Sequence, residues 1–424
     1  MTTRLNRAMG NDEPHTRPLL LRGARLVLPQ GVVEGASLLV ERGRIARISP
    51  DTQDESSPDG TESFDLSGLT LYPGFIDAHI HGAVGVDTME ATADDLSRVA
   101  QFLARSGVTA WLPTVVPAPV EDYARAAEAV ERLIAAQDLG DTPVAARALG
   151  LHYEGPFINS AQCGALRPPY FRTYTKPEDV RDLPVANAPQ AVAPQATAPQ
   201  AIATRAVRMI TVAPEIEGGV ELIRELAARG WIVSIGHTRA DVATLEAAAA
   251  AGARHMTHFF NAMSPLNHRA PGPVGWGLVS DQVTCDIIAD GQHVAPLMLQ
   301  LALRCKTAER LMLISDAVAP TGQGDGEFRI WNEKITVAGG RTQNERGSIA
   351  GSVITMCDAV RQMLALGVAP HEAARMASAN PARLLGLAES YGTVEAGKRA
   401  DLTALDESGH VRLTLIGGRV AFSN

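Results

Sequence analysis

The sequence predicts an α/β protein: a TIM-like (β/α)8 barrel with a small β-sandwich domain built from both chain ends. Three observations carry this expectation. Short apolar runs alternate with stretches rich in Ala, Leu, Glu and Arg through the middle of the chain, the pattern of a parallel α/β architecture. Metal-capable residues follow several of these runs directly, at the strand ends where a barrel keeps its active site. β-like patterning recurs near both termini. An open doubly wound sheet is the alternative, but no GxGxxG turn joins a strand to a helix.

Residues 1–17 are polar, lack an apolar signal region and are expected to form a disordered extension. Residues 18–72 and 393–424 are assigned to the β-domain. Leu19–Arg22 and Ala24–Leu28 read as strand, stopped by Pro29. Ala36–Ile48 reads as a hairpin turning at Gly43, and Asp65–Leu71 as a further strand after a polar loop. Near the other end, Val411–Ile416 and Arg419–Phe422 flank Gly417-Gly418, a hairpin signal.

Residues 73–392 are assigned to the barrel. Helical stretches are expected at Ala93–Ser106, Val120–Gln137, Gly219–Arg229 and Arg239–Ala251. Strands are expected at Ala110–Thr114, Ala148–Tyr153, Met209–Val212, Ile232–Ile235 and Leu311–Ile314. Within it, residues 184–204 repeat Ala-Pro-Gln and hold too few bulky side chains for a core, so they read as a mobile surface insertion.

Composition excludes several classes. With 46% hydrophobic and 20% charged residues, the chain reads as a soluble globular protein. A net charge of -9 argues against a nucleic-acid or anionic-membrane surface. No run of apolar residues is long enough to span a membrane. The four cysteines form no CxxC pair, which fits a reducing cytoplasm, argues against a cysteine-rich zinc site and leaves them as small core residues.

The chemistry begins at His79-Ile80-His81. Side chains alternate along a strand, so two imidazoles leave one face together just before Gly82. That presents two nitrogens to one divalent cation; a merely solvated strand end is the other reading of the pair alone. The same grammar recurs at His152 and Glu154, His237, His258 and Asp316. A histidine and carboxylate set with open positions describes a catalytic zinc or similar site. Asp316 fits proton transfer and Glu154 fits direct or bridging ligation. His152 shares the strand face of Glu154 and reads as a supporting residue, and His255 as a structural one.

Pro73-Gly-Phe-Ile-Asp-Ala-His-Ile-His81, Ala379-Asn-Pro-Ala-Arg-Leu-Leu-Gly386 and Gly397-Lys-Arg-Ala-Asp401 resemble the amidohydrolase superfamily. Within it, His152-Tyr-Glu-Gly-Pro-Phe157, Gly236-His-Thr238, Thr257–Met263, Ile288–His293, Ser315-Asp-Ala317 and Ile349–Ser352 resemble the family of N-acetylglucosamine-6-phosphate deacetylases. The resemblance runs from about Leu19 to Val420.

It implies hydrolysis of a phosphorylated N-acetyl amino sugar by a metal-bound hydroxide, with Asp316 as catalytic acid/base. Glu154, His237 and His258 would hold the metal, with His79, His81 and Asp316 available for a second. The cofactor would be one or two divalent cations per subunit: zinc, with iron, manganese, cobalt or nickel as alternatives. Substrate contacts would come from Ala165, Leu166, Asn261, Ala262, Asp290, His293 and the Ile349-Ala350-Gly351 turn. Arg269 would cross a homodimer interface to the partner's phosphate; from the residues alone it is a solvated loop charge. One departure stands out. Many relatives place a histidine, which polarises the acetyl carbonyl, where this chain has Leu166. Losing one such contact costs on the order of 3 kcal/mol in the transition state. A second metal, Arg167 or another group would have to replace it, or the substrate differs.

Overall fold

The computed structural model describes residues 17–50, 58–181, 183–184, 206–331 and 333–424. The expected N-terminal extension, apart from Arg17, and the Ala-Pro-Gln insertion, apart from Pro184, lie outside the described residues.

Strands from both chain ends form one sheet. Its order is Arg419–Ser423, Val411–Ile416, Leu402–Leu405, Thr70–Pro73, Leu19–Leu28, Gly31–Glu41 and Arg44–Ser49, with Glu62–Asp65 also pairing Leu19–Leu28. Alternating apolar residues give this sheet a core of its own, including Leu21, Leu26, Leu38, Leu71, Leu402 and Leu415. The strand expected over Asp65–Leu71 is broken. Asp65 Oδ1 accepts from Ser67 N at 3.0 Å, and Gly68 takes a left-handed φ of 81°, so a turn separates two shorter strands.

The middle of the chain is the barrel. Its strands are β1 (Phe75–Ile80), β2 (Val108–Val115), β3 (Gly150–Glu154), β4 (Val207–Val212), β5 (Ile232–Ile235), β6 (His255–Met256), β7 (Thr284–Ile288) and β8 (Leu311–Ile314). They pair in parallel in that order. The ring closes past the end of β8, where Asp316 N donates to His79 O at 3.0 Å and His81 N to Ala317 O at 2.8 Å. Below that seam, Ser315 Oγ donates to the buried Asp77 carboxylate at 2.5 Å. Burial pushes Asp77 up to about 6, against the pull of those Ser315 bonds.

Helices cover the barrel as the sequence predicts. Ala93–Arg105 starts at a capping box formed by Thr92 and Asp95 and buries Leu96, Val99, Ala100 and Leu103 at helical spacing. Val120–Leu139 ends on Gly140 in a left-handed conformation. Val242–Ala251 starts later than expected because Asp241 caps it through Thr244 N. A three-stranded antiparallel flap, Gly326–Ile330, Glu333–Ala338 and Arg341–Asn344, follows β8; the sequence reading did not anticipate it.

Cys285 and Cys357 are buried as expected, but Cys163 is partly exposed and Cys305 is exposed. Cys305 lies on the helix Pro296–Arg310 but is not among the residues which that helix buries. Among the described residues, no helix is long and apolar enough to cross a membrane.

Candidate metal centre and substrate cavity

The strand ends converge as the barrel geometry demands. His79 and His81 leave β1 with their Nε2 atoms 3.2 Å apart. Asp316 Oδ1 lies 3.4 Å from His79 Nε2 and 3.2 Å from His81 Nε2. These three form one metal-capable group; Glu154, His237 and His258 form another. In the second, Glu154 Oε1 is 2.9 Å from both His237 Nε2 and His258 Nε2, which are themselves 3.1 Å apart. Glu154 also joins the groups, because its other oxygen, Oε2, lies 3.2 Å from His81 Nε2.

A shared backbone device places three of these residues. His237, His258 and Asp316 each stand two residues past the end of a strand, with φ of 48°, 34° and 50°. Non-glycine residues there cost about 1–3 kcal/mol each and persist where surrounding structure fixes them. Asp286 supplies one such restraint, accepting from both His258 N and His255 Nε2. His255 is accordingly structural. His152 is buried against the His79 ring, with centroids 4.7 Å apart, and bonds Thr211 Oγ1 at 2.9 Å. Burial holds its pKa well below the usual histidine range.

The donor set fits a divalent cation. Four ligands held about 2.0–2.1 Å from a tetrahedral zinc stand about 3.3 Å from one another. The edges of both groups are close to that spacing. Facing ring nitrogens at 3.1 and 3.2 Å are poorly satisfied by each other, whereas one cation satisfies both lone pairs. His237 Nδ1 bonds Gln162 O at 2.7 Å, which fixes the proton there and leaves Nε2 free to ligate. Mixed nitrogen and oxygen donors suit zinc, iron, cobalt or nickel.

Charge balance follows the same geometry. Burial raises the Glu154 pKa, but hydrogen bonds from His237, His258 and His81 hold it well below the usual carboxylate range. Burial likewise opposes ionisation of Asp316, and bonds from His79 and His81 lower its pKa strongly. Burial lowers His81, but Asp316 and Glu154 raise it to about 10. For His258, burial is outweighed by Glu154, and the pKa rises to about 9. A cation entering the cluster therefore displaces protons.

Above the groups lies a cavity of about 270 Å³. Ala165, Leu166, Asn261, Ala262, His293, Ile349 and Gly351 line it, as the sequence reading expected. His293 is held by Asp290, whose Oδ2 lies 2.6 Å from Nδ1 and whose Oδ1 accepts from the His293 and Gln292 backbones. Asp290 thus supports the cavity without lining it. Ala350 is buried behind the wall, its N donating to Thr342 Oγ1 at 3.1 Å.

Two expected residues are elsewhere. Arg269 lies on an exposed loop, its Nη1 donates to His268 Nε2 at 3.0 Å, and it is not among the residues that line the cavity. Arg167 stacks over the Tyr170 ring, 4.8 Å from its centroid. Leu166 is only 3% exposed and packs into the barrel core. The sequence reading missed Trp331, Ser348 and Gly164 in the cavity wall. Trp331 sits at a turn of the flap, and its only sequence signal is an aromatic residue between two alternating stretches.

Residues 70–421 match the model of the Amidohydrolase family. The chain is 35% identical to the N-acetylgalactosamine-6-phosphate deacetylase of Escherichia coli O157:H7, with 95% of this chain and 99% of the relative covered. It is 33% identical to the N-acetylglucosamine-6-phosphate deacetylase of Bacillus subtilis (strain 168), with 95% and 97% covered. Among solved structures, a Mycobacterium smegmatis N-acetyl-D-glucosamine-6-phosphate deacetylase variant in complex with N-acetyl-D-glucosamine-6-phosphate superposes with a TM-score of 0.83 at 31% identity, covering 96% of this chain and all of that one.

Proposed function

This chain belongs to the amidohydrolase family, and from that premise we propose that it removes acetate from N-acetylglucosamine 6-phosphate, giving glucosamine 6-phosphate. The observation that carries the reading is the convergence of four imidazoles and two carboxylates on the floor of a cavity walled by Leu166, Asn261 and His293.

When bound, divalent cations supply an acidified water and polarise the amide carbonyl. Glu154, His237 and His258 would hold one, and His79, His81 and Asp316 a second, with Glu154 reaching both. Asp316 takes the proton of the attacking water and returns it to the departing amine. His293, oriented by Asp290, and Asn261 would bind the sugar. The flanking apolar wall of Leu166 and Trp331 would limit water around the acetyl group.

Arg269 points to a homodimer in which each subunit completes its partner's phosphate site. Its absence from the lining of the cavity supports this, as do the exposed apolar side chains Leu266, Val279 and Leu297. The four free thiols fit a cytoplasmic setting.

N-acetylgalactosamine 6-phosphate is the second substrate to weigh, because a relative of that name is 35% identical. The deciding experiment measures kcat/KM for both sugar phosphates and for unphosphorylated N-acetylglucosamine, after reconstitution at one and two cation equivalents. We expect turnover of a phosphorylated sugar and loss of about 100-fold or more without the phosphate, as when a charged pair is left unmatched. Equal rates with and without phosphate would overturn the reading.

A further inference from the structure

The segment after β1 carries an arrangement that the proposed reaction does not use. Gly82-Ala83 pairs with Val86-Asp87 in a tight antiparallel return. A β-carbon on Gly82 would stand 2.0 Å from Val86 O, so the return needs glycine. Thr88 N and Thr88 Oγ1 both donate to His81 O at 2.8 Å, fastening the returning chain to His81.

Asp87 is thereby brought to His81 and to the flap. Its Oδ1 accepts from Met89 N at 2.8 Å. Its Oδ2 is buried without a hydrogen-bond partner, and so are His81 Nδ1 and Trp331 Nε1. The His81 and Trp331 rings meet edge to face, with centroids 5.3 Å apart. None of the three atoms has a hydrogen-bond partner, although the strand return carries Asp87 back to His81 and the ring contact sets Trp331 against that same imidazole. One buried acceptor and two buried nitrogens thus occupy one neighbourhood. The indole N–H can only donate. An imidazole that ligates through Nε2 carries its proton on Nδ1 and takes an outer acceptor, commonly a carboxylate.

We propose that Asp87 is a positioning residue: its Oδ2 accepts from His81 Nδ1–H and from the Trp331 indole N–H. It would join the His79–His81–Asp316 group to the flap turn over the cavity. The proposal rests on His81 being a metal ligand.

The test is calorimetric titration of chelator-treated full-length protein with Co²⁺. The wild type is expected to take up two equivalents. Asp87→Ala should weaken one of them about 10–100-fold and leave the other unchanged. Asp87→Asn keeps the Met89 bond but turns an amide NH2 toward two N–H donors, and should weaken the same equivalent. It decides the matter if Asp87→Ala does not fold. Trp331→Phe keeps the ring, loses the N–H, and should weaken that equivalent less. Two wild-type-like equivalents in both Asp87 variants would overturn the proposal while sparing the ligand assignment. A wild type that binds a single equivalent would overturn the second-metal assignment and this proposal with it.

Discussion

The His79–His81–Asp316 group and the Glu154–His237–His258 group lie side by side but are built differently. The first draws two ligands from one regular strand and its third from the strand that closes the ring. The second draws each ligand from a different strand, with two of them in left-handed backbone conformations. Outer restraint differs at one imidazole: His237 Nδ1 has the Gln162 carbonyl, while Nδ1 of His79, of His81 and of His258 has no hydrogen-bond partner. A metal site is only as rigid as the groups behind its ligands. With one imidazole held from behind against none in the first, the second group is expected to be the better-held site and the first the more easily emptied.

The largest effect should break both groups at once. Glu154→Gln removes the carboxylate common to them, and we expect turnover to fall about 10⁴-fold with metal content below one equivalent. Elemental analysis beside the assay checks it. Asp316→Asn should lower turnover by about 10²–10⁴-fold while the Glu154–His237–His258 group keeps its metal. Retained turnover would remove Asp316 as the proton carrier.

His81→Gln separates the groups more finely. If the first group's metal replaces the carbonyl-polarising histidine absent at Leu166, turnover should fall about 100-fold with one equivalent still bound. Unchanged turnover would end that idea. Adding Leu166→His to His81→Gln should recover about 10-fold, because a donor returns to the same wall. The smallest effect is on pH. His81 and His258 hold protons up to about 10 and 9 in the cation-free cluster, so cation uptake at pH 8 should release protons. Affinity should rise from pH 6 to pH 9; equal uptake heats in buffers of different ionisation enthalpy would show that no protons are displaced.

Most of the barrel was legible because strand and helix periods differ and recur. Ile232–Ile235 and Leu311–Ile314 match the expected bounds residue for residue. The six residues expected as metal ligands fall into the two groups, most of them because they followed an apolar run. Less legible was anything set by tertiary return. Trp331 reaches the cavity through a flap outside the strand–helix alternation, and Asp87 reaches His81 through a two-strand return too short to leave a periodic signal. The break at Ser67-Gly68 was missed because apolar residues flank it on both sides. Arg269 was legible only by family likeness, because an arginine on a polar loop reads the same in sequence whether it is solvated or recruited to a site.

The strand Thr70–Pro73 has its neighbour Leu402–Leu405 on the far side of the whole barrel segment. During synthesis that early strand must wait, with an unsatisfied edge, until the whole barrel segment and Leu402–Leu405 have left the ribosome. Contacts of such wide sequence separation form slowly, and waiting edges invite association between chains. The clasp between early and late strands thus marks the nascent chain's most vulnerable interval. Shortened products that stop before Leu402 should be the ones that chaperones retain.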